Sequence, residues 1–162
     1  MKTNNYHYIF VIILLSITLS RAYCQQDSIK HTDLIYRKNV IHGSFGTLAI
    51  GYTANIFYDR ILSESQNKSK FTTFLRVGYQ ENIFIFSNGG SAYILEGGML
   101  TGSKFSHFEG ALGITYFGVD TNFRVLPAFS IGYRGQKPKG GFMFRTGIGN
   151  PEWLYFGLGF AF

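Results

Sequence analysis

Two histidines in this chain stand two residues away from a side chain that could act together with them. His42 precedes Ser44, and His107 precedes Glu109. Residues i and i+2 of a β-strand point to the same face, so each pair would share one surface. A serine nucleophile needs its histidine base at about 3 Å and a third group that orients the base, and the spacing fixes neither. We therefore expect these histidines to pair with neighbouring polar groups, and we keep enzymatic catalysis as the alternative.

A second set of reactive side chains consists of charges that alternate with apolar residues. Arg145 follows Phe144, and Arg134 follows Tyr133. A period of two places such neighbours on opposite faces of a strand. The charges that fall opposite the apolar face are Asp59, Arg76, Glu96, Glu109, Arg124, Arg134 and Arg145. The guanidinium group of arginine can donate two parallel hydrogen bonds to one carboxylate. We therefore predict that these four arginines and three carboxylates form one ion-pair network.

The elements that must position these charges are predicted to be strands. The end of the chain alternates most clearly, with large apolar side chains at Leu154, Phe156, Leu158, Phe160 and Phe162. This alternation predicts a strand with one apolar face. The same pattern predicts seven earlier strands at residues 40–45, 47–62, 71–80, 91–102, 105–117, 123–135 and 141–149. Turn-forming residues separate several of them, as at Asn88-Gly89-Gly90 and Asn150-Pro151.

Eight strands with their charges on one face predict an all-β fold, a closed antiparallel eight-stranded transmembrane β-barrel over residues 40–162. The interior of such a barrel is wide enough only for side chains, and the 20 glycines would make room between the charges. A water-soluble calyx would have the opposite polarity, with apolar residues inside. The aromatic content of 18% is typical of the aromatic belts at the two membrane interfaces.

Residues 1–24 have the pattern of a cleaved signal peptide. Lys2 is followed by an apolar run at residues 9–19, which is too short to cross a bilayer as a helix. Ala22-Tyr23-Cys24 then resembles a signal-peptidase site, so we expect the mature chain to start at Gln25. Acylation of Cys24 is the less favoured alternative because bulky Tyr23 precedes it. Residues 25–39 are polar without a period, and we interpret them as a flexible periplasmic lead-in.

Composition argues against several other classes of protein. The net charge of +6 falls by two when Lys2 and Arg21 leave with the signal, and no basic run is interleaved with aromatics, so we expect no nucleic-acid partner. The four histidines are scattered and the mature chain has no cysteine, so we expect no metal site. No motif indicates a cofactor.

The chain resembles the small eight-stranded outer-membrane barrels of the OmpA/OmpX type, a group of domains of unknown function. The resemblance depends on the signal, the alternating strands, and the segments Tyr58-Asp59-Arg60 and Ile131-Gly132-Tyr133-Arg134. It depends also on the final strand, because a last phenylalanine after alternating aromatics resembles the signal read by the outer-membrane assembly machinery. The resemblance therefore implies an assembly signal at Phe156, Phe160 and Phe162. One departure is that the outer loops are shorter than in adhesive relatives.

The resemblance implies a location in the outer membrane of a Gram-negative bacterium, with outer-membrane lipids and the assembly machinery as partners. It defines an architecture and not an activity. We expect a non-enzymatic barrel with an ion-paired lumen and a role in envelope structure or envelope contacts. Two alternatives stay open. One is a lipid-modifying enzyme similar to the lipid A deacylases, which use a His–Ser pair, and the other is a narrow porin-like pore.

Overall fold

A computed structural model of the chain describes residues 37–48, 51–63, 71–84, 90–102, 105–119, 122–137 and 139–162. Eight strands occur there, and no helix: β1 (Asn39–Leu48), β2 (Gly51–Ser63), β3 (Phe71–Phe84), β4 (Gly90–Thr101), β5 (Ser106–Val119), β6 (Asn122–Gln136), β7 (Gly141–Asn150) and β8 (Trp153–Ala161). Within the same residues, no helix is long and apolar enough to cross a membrane. The predicted signal peptide and most of the predicted lead-in lie outside the described residues.

Each strand pairs antiparallel with the next one in the chain, and β1 pairs with β8 to close the barrel. Closure is completed beyond the last pairs by two backbone hydrogen bonds. Phe162 N donates to Asn39 O over 2.8 Å, and Asn39 N donates to Phe162 O over 3.2 Å. The prediction of an all-β fold with a closed, antiparallel eight-stranded barrel is confirmed.

Alternation along the strands separates two very different surfaces. On β2, Ile56 is 57% exposed while its neighbour Phe57 is 2% exposed. Large apolar side chains are exposed on every one of the eight strands, up to 74% at Leu112. The inward face carries most of the buried polar and charged side chains. Apolar residues therefore cover the outside of the barrel, and polar residues occupy much of its interior.

Three small apolar clusters accompany the interior charges. On the inward face of β2, Asp59 lies between Ile61 of one cluster and Phe57 of another. On β4, Glu96 lies in the same way between the inward positions of Leu100 and Ile94. The third cluster consists of Val40, Met143 and Ala161. The interior is therefore layered along these strands, with charges enclosed by apolar groups.

The largest differences from the predicted strand boundaries occur between β1 and β2 and at the end of β3. Thr47, which was predicted to begin the second strand, belongs to β1 and pairs with Tyr52 of β2. The residues between β1 and β2 are Ala49 and Ile50, which are not turn formers, so the sequence carries no signal of the break. β3 continues to Phe84, beyond the predicted end at Gln80, because Asn82 still pairs with Gly90 at the start of β4.

Candidate functional site

Every strand contributes at least one titratable side chain to the interior. Eight of them, one from each strand, are His42 of β1, Asp59 of β2, Arg76 of β3, Glu96 of β4, Glu109 of β5, Arg134 of β6, Arg145 of β7 and Tyr155 of β8. None of them is more than 3% exposed. They reach the same compartment because each stands at an inward position of its own strand's alternation. We refer to this set, together with Glu152 described below, as the interior network.

Arg76 is held by carboxylates on three strands. Its Nε lies 2.8 Å from Asp59 Oδ1 and its Nη2 3.1 Å from Asp59 Oδ2, which forms a two-pronged pair. Its Nη1 donates to Glu96 over 3.2 Å and its Nη2 to Glu109 over 3.0 Å. Asp59 and Glu96 are the direct cross-strand partners of Arg76, so strand register alone brings them together. Glu109 reaches Arg76 across the interior.

Arg134 and Arg145 extend the network to the other side of the barrel. Arg134 Nη1 lies 2.7 Å from Asp59 and 3.3 Å from Glu109. Arg145 Nη2 lies 2.9 Å from Glu109, which therefore contacts all three arginines. Because buried charges cost several kcal/mol each unless they are paired, this sharing is what allows charged groups to be fully buried here.

Aromatic rings pack against the arginines. The guanidinium of Arg76 lies 4.9 Å from the ring centre of Phe74 and 5.4 Å from that of Phe57. Arg145 lies 4.1 Å from the ring centre of Tyr155. These are cation–π distances, and they add to the carboxylate contacts.

Two glycines make room for those rings. A Cβ atom on Gly78 would collide with the Phe57 ring, and one on Gly98 with the Phe74 ring. The interior is thus filled by rings and guanidinium groups lying over glycines. The high glycine content noted in the sequence has, at these two positions, a direct steric cause.

The prediction that Arg124 joins the network is wrong. Arg124 has the inward parity of β6, yet its side chain is exposed. It pairs with Phe117 of β5, whereas the pairing of β6 with β7 begins only at Phe129. Residues 122–128 of β6 therefore continue past the last pair with β7 and pair with β5 alone. Alternation gives the direction of a side chain but cannot show where the enclosed interior ends.

Glu152 is a member of the network that the sequence did not reveal. It lies in the turn between β7 and β8, yet it is 2% exposed, and its two oxygens lie 3.1 and 2.9 Å from Arg145 Nη1. Ser44 Oγ also donates to it over 2.5 Å. Trp153 has a left-handed φ of 62°, so the alternation of β8 does not continue into the turn. No pattern in the sequence predicts that reversal.

A glycine also makes room for this turn. A Cβ atom on Gly46 of β1 would collide with the carbonyl oxygen of Glu152. The turn is therefore folded against the inward face of β1. The interior network has three arginines and four carboxylates, the reverse of the balance predicted from the sequence.

The two histidine pairs do not form catalytic contacts. His42 Nε2 lies 3.2 Å from Asp59 Oδ1, and His42 Nδ1 has no hydrogen-bond partner among the described residues. Ser44 instead accepts from Asn55 and donates to Glu152. The ring nitrogens of His107 face the carbonyl oxygens of Thr101 and Gln136, at 2.9 and 3.3 Å. Neither geometry places a base on a nucleophile.

No group of three or more potential metal ligands occurs among the residues for which the structure gives positions. The predicted assembly residues Phe156, Phe160 and Phe162 lie on the outward side of the barrel, 49–57% exposed. They are therefore presented to the surroundings and not to the interior.

Fold and site together define a closed, eight-stranded antiparallel barrel with a polar, ion-paired interior. Comparisons with protein-family models, with curated proteins and with solved structures gave no match for the chain. The resemblance to OmpA/OmpX-type barrels therefore stays a hypothesis drawn from the sequence.

Proposed function

We propose that the chain is an integral barrel of the outer membrane of a Gram-negative bacterium, with a filled lumen and a non-enzymatic role in envelope structure or envelope contacts. The observation that carries the proposal is the polarity of the two surfaces. Large apolar side chains are exposed on all eight strands, whereas arginines and carboxylates are buried inside. Exposed apolar surfaces larger than a few hundred Å² mark interaction sites, and a band around a whole barrel fits lipid.

The packing of the lumen favours a structural role over conduction. Arg76, Arg134 and Arg145 are each fully buried and lie among carboxylates and aromatic rings. An eight-stranded barrel has space for side chains and little else. An open water-filled path would need several of these paired charges to separate.

The contacts of His42 and Ser44 favour a non-enzymatic role over lipid modification. Neither nitrogen of His42 is bonded to Ser44, and the Ser44 hydroxyl donates to a carboxylate. A serine activated for attack would donate to a histidine base.

The partners that this proposal implies are the outer-membrane lipids around the apolar band and the assembly machinery that inserts the barrel. Phe156 and Phe160 lie on the outward face of β8, next to the seam where β8 pairs with β1. An aromatic stripe beside the closing seam is accessible to an assembly factor before the barrel closes.

The test is reconstitution of the purified chain into lipid vesicles. We expect a folded species that migrates differently before and after boiling and is protected from protease by the bilayer. A monodisperse protein in buffer without detergent would contradict membrane insertion.

Two further measurements address the competing functions. Planar-bilayer recordings of the inserted protein should show no discrete channel openings, and the lipid A acyl chains of cells with and without the protein should be identical. Regular openings would make the chain a pore, and a missing acyl chain would make it a lipid-modifying enzyme.

A further inference from the structure

Glu81 is a charged side chain on the outward face of the barrel, which is otherwise largely apolar. Among the described residues, the other carboxylates are buried in the interior network, while Glu81 is exposed on the outward face of β3. Its outward neighbours along β3 are Tyr79 and Ile83, and Ala54 is its partner on β2. A charge in a lipid-facing band is costly and, where it occurs, is by default a functional site with a partner.

A row of three tyrosines lies directly beside Glu81. Tyr79 of β3 pairs with Tyr93 of β4, which pairs with Tyr116 of β5. All three are half-buried, and the rings of Tyr79 and Tyr93 are 5.5 Å apart at 60°. Ring faces are electron-rich and attract cations. The patch formed by Glu81 and these tyrosines is referred to below as the tyrosine patch.

The hydrogen bonds of Glu81 use only one of its oxygens. Tyr79 OH donates to Oε1, and Ser91 Oγ donates to the same atom over 3.0 Å. These hydroxyls orient the carboxylate but do not neutralise it. No ion pair within the described part of the chain includes Glu81. Oε2 is left for a donor that comes from outside the barrel, and its charge calls for a cation.

We propose that the tyrosine patch binds the ammonium headgroup of a membrane lipid, with N–H donated to Glu81 Oε2 and the cation against a tyrosine ring. This inference rests on the proposed membrane location. The patch lies nearer to the β3–β4 and β5–β6 turns than to the opposite end of the barrel, so it would meet headgroups at that interface. The required chemistry is a primary ammonium group, because a quaternary one has no proton to donate.

The probe is phosphatidylethanolamine, with phosphatidylglycerol of identical acyl chains for comparison. Native mass spectrometry of the refolded protein in micelles counts the lipids that stay bound. Glu81→Gln keeps the shape and accepts the same hydroxyl bonds but removes the charge. We expect it to lower phosphatidylethanolamine retention by up to about five-fold, the upper size of an exposed ion pair. Phosphatidylglycerol retention should not change.

A pair of tyrosine variants tests the aromatic half of the site. Tyr93→Leu should lower phosphatidylethanolamine retention, while Tyr52→Leu, which removes an outward tyrosine outside the patch, should leave it unchanged. Wild-type retention in Glu81→Gln overturns the proposed lipid site even though every variant inserts. A wild-type chain that does not insert at all overturns the membrane location as well, so the two failures are distinguishable.

Discussion

Arg145 lies between two carboxylates and two aromatic rings. Glu109 and Glu152 are its anionic partners, and its guanidinium lies 4.1 Å from the ring centre of Tyr155 and 5.6 Å from that of Phe57. Ion pairs buried in this way gain little net stability, because the loss of hydration offsets the attraction. Removal of one partner is a different matter, since it leaves a buried charge without compensation.

At this scale we predict the effect of Arg145→Met, which keeps much of the side chain's volume. It should lower the free energy of unfolding by about 3–5 kcal/mol, because Glu109 and Glu152 lose a shared cation. The double variant Arg145→Met with Glu152→Gln should recover part of that loss. Urea unfolding in lipid vesicles measures both.

Arg124→Met provides the matched control. Arg124 is exposed and stands outside the interior network, so its loss should change stability by no more than about 0.5 kcal/mol. Equal losses for Arg124→Met and Arg145→Met would contradict the placement of these two arginines, and an absence of rescue by Glu152→Gln would contradict the Arg145–Glu152 pair.

At the scale of the strands, side chains and glycines fit against each other in pairs. The Phe74 ring of β3 covers Gly98 of β4, and the Phe57 ring of β2 covers Gly78 of β3. Each glycine is the direct inward neighbour of a phenylalanine on the adjacent strand. Phe57 and Phe74, whose rings make the cation–π contacts, can occupy these positions because the neighbouring residue on the adjacent strand is a glycine.

We predict different effects on stability for the adjacent substitutions Gly98→Ala and Gly97→Ala. A Cβ atom on Gly98 would meet the Phe74 ring and, at 2.8 Å, the carbonyl oxygen of Gly110, so this change should cost about 1–3 kcal/mol. Gly97 faces outward, and a methyl group there would have no atom beyond its chain neighbours within 4 Å. Alanine at Gly97 should therefore be neutral or stabilising by up to about 1 kcal/mol. The urea concentrations at the unfolding midpoints of the two variants measure these changes in stability. Similar losses of stability would contradict the inward assignment of Gly98 and the outward assignment of Gly97.

The last strand carries a prediction about assembly. Phe162→Ala should lower the amount of folded barrel in the outer membrane if this aromatic belongs to the assembly signal. Phe71→Ala is the control, because Phe71 is an outward phenylalanine of similar exposure, 53% against 49%, on another strand. The heat-modifiable fraction in membranes reports assembly. Equal effects of the two changes would mean that Phe162 contributes only its apolar surface.

At the scale of the whole molecule, the distribution of polarity agrees with the membrane location that we propose. Leu112 is 74% exposed at the middle of β5, and its direct partners on β4 and β6 are Gly97 and Phe129. In water, such a site would tolerate or prefer a charge. In lipid, the same charge loses its hydration.

The effect of Leu112→Arg on stability distinguishes water from lipid at this position. In a bilayer we expect a loss of about 2–4 kcal/mol, the cost of arginine near the midplane. The comparison variant is Leu112→Ala, which removes apolar surface without adding charge and should cost less. Urea unfolding in vesicles gives both values, and an unchanged or higher stability for Leu112→Arg would indicate that this face lies in water.

The alternation of apolar with polar residues along the sequence predicted most of the barrel architecture. It predicted eight strands and their faces, and with them the inward direction of Asp59, Arg76 and Arg145. These features follow from sequence because side-chain direction along a strand has a period of two and needs no knowledge of distant residues. The strand break after Leu48 escaped prediction because Ala49 and Ile50 are not turn formers.

Only the tertiary structure decided which inward groups meet and where the interior ends. Arg124 and Arg134 share one parity on β6, but the pairing with β7 reaches only as far as Phe129, so one is exposed and the other is fully buried. Glu152 enters the network because its turn folds against Gly46 of β1, which is distant in the sequence. Both outcomes depend on how far neighbouring strands extend and on how a turn reverses direction, and these are set by closure of the barrel and not by any local pattern.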